Sequence, residues 1–373
     1  MRRGFASADI QISESQTPLH RLETVYRRVT ESLRTSSIPP SALRSVLDSW
    51  LFTIENDALS ADPSLETGPE SLLTQAVESL LEQRLAAVSS RTPIFAQALR
   101  GYRSAVTAGD GQTADALVAW MGGQPQVAAA AKRSAGIRGD LDHFGAMGFL
   151  QGVLTVLRDA GHPGLVLVLD EVETLQRVRG DVRDKALNAL RQLIDEVDSG
   201  RYPGLYLVIT GTPAFFDGPS GVPRLPPLAQ RLATDFGTDA RFDNPRAVQV
   251  RLPGFDEDSL IALGRRVRDL YAGGSTSRDR IFDVVDNDYI AALASAVTGG
   301  LGGRVGIAPR IFLKKLIADI LDRVDQFPDF TPREHYALTV GITELTEEER
   351  AAATGRPLSV DDIELSLDDE EPG

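Results

Sequence analysis

Short, nearly continuous apolar runs alternate along this chain with longer stretches in which apolar residues recur every three or four positions. Leu165 to Asp170 reads LVLVLD, Leu205 to Thr210 reads LYLVIT and Ala247 to Leu252 reads AVQVRL. Runs this short, rich in Val, Leu and Ile, predict strands. Phe5 to Ile12, FASADIQI, alternates in polarity without a helix breaker and predicts a further strand. RDKALNALRQLIDEV, between the first two runs, has helical spacing. Strands of this kind alternating with helices imply a parallel sheet covered on both faces and joined by right-handed crossovers.

Leu22, Val25, Tyr26, Val29 and Leu33 recur at helical spacing, with Thr17-Pro18 expected as cap and first-turn pair. From Ser41 to about Ala160 the pattern is helical throughout, with stops expected at Pro39-Pro40, Asp62-Pro63, Gly68-Pro69 and Gly122-Gly123. This stretch, about 39–160, is expected to be a helical insertion between strands. Beyond Pro253 the chain reads as helices again: DEDSLIALGRRVRDLYA, DNDYIAALASAV and IFLKKLIADILDRVD. The expected layout is an α/β core over 1–253, a helical lid or winged-helix domain over 254–341, and a disordered tail over 342–373.

Composition narrows the chemistry. The chain has no cysteine, and His20, His143, His162 and His335 lack ligand spacing, which excludes disulfides, thiolate sites and zinc motifs such as HExxH. No apolar run has the length of a membrane span and the start has no signal-peptide core, so a cytoplasmic location without membrane partners is expected. The net charge of -14 sits mainly in the tail: eleven acidic and two basic residues fall between Ile342 and Gly373. The body is only mildly acidic, and nucleic acid stays open as a partner. Four of the 39 basic residues are lysines and the rest arginines, a bias that fits either phosphate contacts or coding composition.

LVLVLDEVETL carries the most chemistry. Asp170 and Glu171 follow an apolar parallel strand, at the edge where open α/β sheets bind ligands. An aspartate there can hold magnesium through water while the adjacent glutamate polarises an attacking water; a solvated acidic turn is the plain alternative. Thr210 and Thr212 end the next strand in TGTP, where a hydroxyl could sense a terminal phosphate or simply build a turn. Arg231, in LPPLAQRLATDF, is either a finger for a neighbouring subunit or a solvated helix residue. Arg310, in GIAPRIFL, opens a helix from which it could reach a γ-phosphate.

GFASADIQISESQTPLHRLETVYRRV, LRSVLDSWLF, LVLVLDEVETLQRVRGDVRDKALNALRQLID, LYLVITGTPAFFDG and APRIFLKKLI together resemble the ATP-binding D component of BREX bacteriophage-resistance systems. Those proteins are P-loop ATPases of the AAA+ superfamily, similar to origin-recognition proteins. The resemblance runs to about residue 340. It implies Walker B roles for Asp170 (metal) and Glu171 (base), a sensor at Thr210 or Thr212 and a second sensor at Arg310. ATP and Mg2+ are the implied cofactors. Other components of a defence complex, duplex DNA held by the C-terminal helices, and further copies of the chain are the implied partners.

One part of the family pattern is missing. Family members carry a strand and a G-x-x-x-x-G-K-[ST] loop ahead of the GFASADIQIS block, and no lysine here follows a glycine. AGDGQTAD and GGLGGRVG are glycine-rich but lack the lysine. The expectation is an AAA+-like sheet without its first, central strand and P-loop, in a chain that starts at the second strand and is catalytically incomplete as it stands. Two other readings stay open: a non-catalytic scaffold or DNA-binding subunit on the same fold, and a transposition-type AAA+ DNA adaptor.

Overall fold

A computed structural model describes residues 3–237, 239–252, 254–300 and 309–337. The chain divides into two compact units, Met1–Ala233 and Thr234–Gly373.

The sheet belongs to the first unit. β1 (Ala6–Gln11), β2 (Leu165–Asp170) and β3 (Leu205–Ile209) pair in that order, and both pairs are parallel. Gln11 stands opposite Asp170, and Leu169 opposite Ile209, so the three strands end level. The period-two alternation sends Ala6, Ala8, Ile10, Leu165, Leu167 and Leu169 to one buried face. The other face is less covered than expected: Val166 and Val168 are half-buried and Tyr206 is 65% exposed. At the strand starts, Leu165 N–H bonds Gly204 O at 2.9 Å. A Cβ on Gly164 would lie 1.9 Å from that oxygen, so this close approach requires glycine.

The two edges of the sheet differ. Ser7 exchanges both main-chain hydrogen bonds with Arg34, and Asp9 N–H donates to Ser32 Oγ, which closes the outer side of β1. No strand or bridge pairs with the outer side of β3 among the described residues.

Ala247–Leu252, expected as a strand, is not one. These residues run as bends and irregular chain, and no strand or isolated bridge among the described residues includes them. Their alternation suits a pleated surface, but strand structure exists only where a ladder partner accepts the main-chain groups.

The helices of the first unit are α1 (Leu22–Ser32), α2 (Leu43–Ala61), α3 (Glu70–Arg91), α4 (Pro93–Thr107), α5 (Gly111–Met121), α6 (Ala129–Ser134), α7 (His143–Asp159), α8 (Gly180–Asp198), α9 (Pro213–Asp217) and α10 (Pro226–Leu232). All but α1 and α8 to α10 lie in the long segment between α1 and β2, with breaks at the prolines and glycines expected. The Thr17-Pro18 cap is corrected: Pro18 O accepts from Arg21 N–H at 2.9 Å, a turn that delays the helix to Leu22. Phe149 of α7 ties the helices together, meeting Tyr26, Phe95 and Trp120 edge-on at centroid distances of 6.0, 5.1 and 5.3 Å.

The second unit is helical over its described residues, with α11 (Glu257–Gly274), α12 (Arg278–Val284), α13 (Asn287–Gly300) and α14 (Pro309–Lys314). A π-helical turn, Lys315–Leu321, carries α14 into α15 (Asp322–Gln326). Leu260, Ile290, Leu293, Phe312, Leu316 and Ile320 form its fully buried core. No strand occurs among its described residues, and the acidic stretch 342–373 lies outside them.

Candidate functional site

The level strand ends bring Gln11, Asp170 and Thr210 to one edge of the sheet. Asp170 ends β2, and Glu171 turns the chain through φ 56°, ψ 42° into the tight helical turn Val172–Gln176. A left-handed glutamate costs free energy, so the surroundings must hold it there. They do so from both neighbouring strands. Val172 is fully buried and its N–H donates to Thr210 O at 3.2 Å. Thr174 Oγ1 donates to Ile12 O at 3.1 Å, and Ile12 N–H to Asp170 O at 2.9 Å. Arg183 of α8 clamps the far end by donating to the carbonyls of Leu175, Gln176 and Val178.

Each carboxylate in this edge has a defined surrounding. Asp170 Oδ1 accepts from the Thr210 hydroxyl and from Glu171 N–H, the latter at 3.1 Å. Glu171 Oε2 accepts from Gln11 Nε2 at 2.5 Å. Glu173 Oε2 is buried without a hydrogen bond and lies 3.4 Å from where a Cβ on Gly211 would be. That Cβ would also press on Val172 Cγ2 at 2.8 Å, which explains the glycine in TGTP. Among the described residues no lysine or arginine pairs with Asp170, Glu171 or Glu173, so the edge is strongly acidic.

This donor set fits one part of Mg2+·ATP and not the other. Asp170 Oδ2 and Glu171 Oε1 take no donor from the described residues. Magnesium keeps several waters and uses one or two carboxylates, so these open oxygens suit its water shell. Among the described residues no group of three or more His, Cys, Asp or Glu could hold a metal by protein ligands alone, so waters and phosphate would complete its shell. A triphosphate needs a cradle of main-chain N–H groups and a lysine. Lys132 is bonded to Asp140 at 2.9 Å, Lys185 lies on α8, and Lys314 and Lys315 belong to the second unit. AGDGQTAD is a helix cap in which Asp110 accepts from Thr113 N–H at 3.0 Å, and most of GGLGGRVG lies outside the described residues. The triphosphate therefore has no matching donors at this edge among the described residues of the first unit.

The remaining predicted residues lie on other elements. Thr212 follows in the same turn, as the residue before α9, and its hydroxyl makes no hydrogen bond with the described residues. Arg231 is held by Asp195 of α8, with Nη2 to Oδ2 at 3.1 Å, and by Pro227 O at 2.7 Å. Arg310 is the second residue of α14, in the other unit. Gln11, Glu173 and Arg183 were not singled out in the sequence. For Gln11 a signal existed: it is the polar last residue of an alternating strand that must end beside LVLVLD.

No curated protein and no solved structure matches the chain. A family model does, over residues 1–340, and by that match the chain belongs to the family described as BREX system ATP-binding protein BrxC/D.

Proposed function

We propose that the chain is the ATP-binding component of a BREX-like phage-defence system, that the carboxyl edge of its sheet is the metal and water side of the nucleotide site, and that it is catalytically incomplete as it stands. The observation that carries this reading is the acid pair at the strand end: Asp170 fixed by Thr210, and Glu171 held left-handed with one oxygen bound to Gln11 and the other open. Bound magnesium would neutralise phosphate charge; Asp170 Oδ2 would accept from its water shell. Glu171 Oε1 would orient a water and take its proton. Thr210 or Thr212, at the turn that follows β3, would report on the terminal phosphate, as an AAA+ sensor would. Arg231 and Arg310 enter this reading only through the resemblance.

Titration calorimetry with Mg2+·ATP tests it. The expected result is weak binding that is lost in Asp170→Ala, with no turnover. Micromolar binding unaffected by Asp170→Ala would sink the assignment. The scarcity of triphosphate donors at the sheet edge among the described residues of the first unit favours the second reading, a scaffold on the same fold, and no binding by either protein would support that instead. DNA association of the second unit is a further part of the proposal. A salt-dependent shift of a labelled duplex, absent when residues 234–373 are deleted, is the result expected.

A further inference from the structure

In the first unit, α1, α7 and α8 border a cavity of about 480 Å3 that none of the acid-edge residues lines. That volume suits one small ligand, and the walls combine apolar surface with a few polar groups that have bonding capacity to spare. Phe144 lines it and is 86% exposed, its ring edge-on to His143 at a centroid distance of 5.4 Å. An aromatic face in water beside a cavity is a platform for a planar ring. Gln151 Nε2 donates to Arg201 O at 2.6 Å, which leaves the Gln151 side-chain oxygen without a donor among the described residues. The Gln192 amide makes no hydrogen bond with them. His143 Nδ1 accepts from Leu22 N–H at 3.5 Å, so Nε2 carries the ring proton and has no acceptor there. Amide and imidazole groups of this kind pair with the edges of a nucleobase, and Glu196, the acid in the wall, is already paired with Arg201 at 3.0 Å.

Positive charge adjoins the same walls. Arg21 precedes Leu22 of the lining, and Lys185 stands two helical turns before Gln192, on the same face of α8. Both are exposed, and neither has an ion pair among the described residues. They lie close enough together to act on one group: burial first, then the charges of Arg21 and Lys185, hold the His20 imidazole below its ordinary value, with Glu23 and Asp181 opposing more weakly. Asp181 is itself held by Arg179 at 3.1 Å.

We propose that this cavity binds one nucleotide unit, its base stacked on Phe144 and hydrogen-bonded by Gln151, Gln192 and His143, its phosphate held by Arg21 and Lys185. The unit is a free nucleotide or one residue of an unpaired strand, since both present the same base and phosphate. A duplex does not, because its bases are already paired and stacked. The site is separate from the acid edge and needs no magnesium.

Fluorescence anisotropy on the full chain, in EDTA, tests this with two probes: AMP labelled on its ribose and a labelled single-stranded oligodeoxynucleotide. Binding of AMP identifies a free nucleotide, and binding of the oligonucleotide alone identifies an unpaired strand. Phe144→Ala should weaken binding about fivefold or more, the loss of one stacked base, and leave its salt dependence unchanged. Lys185→Ala should weaken binding of the oligonucleotide and reduce its salt slope by about 0.7, the value for one phosphate of a single strand. Both positions are exposed, so each variant should keep the wild-type melt. Asp170→Ala should bind as wild type does, which separates this site from the nucleotide reading of the sheet edge. Binding of neither probe, loss of binding in Asp170→Ala, or binding that is as tight in Phe144→Ala as in Phe52→Ala, an exposed phenylalanine on α2, overturns the proposal.

Discussion

β2 and the stretch Val248–Leu252 hold similar apolar side chains in opposite surroundings. In β2 every second leucine is buried, with Leu165, Leu167 and Leu169 at 0%, 1% and 0% exposure, and a ladder runs along both sides. In the other stretch the large apolar residues face water and the main chain has no ladder among the described residues. What separates them is the partner rather than the side chains. β2 is flanked by β1 and β3 and roofed by helices, so each residue that extends is rewarded twice, by a main-chain bond and by burial.

The largest expected effect tests that difference directly. Leu167→Ala should destabilise the protein by roughly 2–5 kcal/mol, the usual range for a buried leucine. Val250→Ala should stay within about 0.5 kcal/mol, as exposed substitutions do. Urea unfolding followed by circular dichroism measures both. Similar losses at the two positions would mean that Val250 is buried in solution. Gly164→Ala comes next. Its Cβ would collide with Gly204 O, and forcing β2 and β3 apart at their start should cost about 1–3 kcal/mol, as overpacking does. A wild-type melting temperature in that variant would refute the close approach.

The same comparison shows what the sequence could and could not reveal. β1, β2 and β3 were legible because length, β-branching and flanking breakers agree with burial, and the helices of residues 41–160 were legible from their spacing and stops. AVQVRL has an equally good pattern, and its failure to form a strand depends on a neighbour that no local signal reports. The delayed start of α1 depends on one turn bond at Pro18. At the site, Asp170 and Glu171 stood out because they end an apolar run at the sheet edge where open α/β folds bind ligands. Gln11 did not, because its meaning comes from register: only pairing of residues 160 positions apart places its amide on Glu171.

A smaller effect is expected at the turn that ends β2. Glu171 sits at φ 56°, where a side chain costs roughly 1 kcal/mol relative to glycine. Glu171→Gly should therefore be more stable than Glu171→Ala by about that amount, although glycine usually destabilises. The reverse order in thermal denaturation would show that the turn does not hold the left-handed conformation.

The smallest effect concerns the bond between Gln11 and Glu171, one of the links that join the end of β2 to its neighbour. Gln11 is exposed, so Gln11→Ala should cost no more than about 0.5–1.5 kcal/mol, the net value of an ordinary hydrogen bond. A total that small cannot by itself separate this bond from a general loss of surface contact. The double-mutant cycle with Glu171→Ala can, because only a direct interaction leaves a coupling energy after both single losses are subtracted. A favourable coupling of about 0.5 kcal/mol or more is expected. Gln11→Glu should then destabilise more than Gln11→Ala, since it sets a second carboxylate against Glu171 in an edge with no compensating cation among the described residues. Zero coupling, together with equal stability of Gln11→Ala and Gln11→Glu, would place the Glu171 carboxylate away from β1 in solution and leave the ends of β1 and β2 joined by main-chain bonds and Thr174.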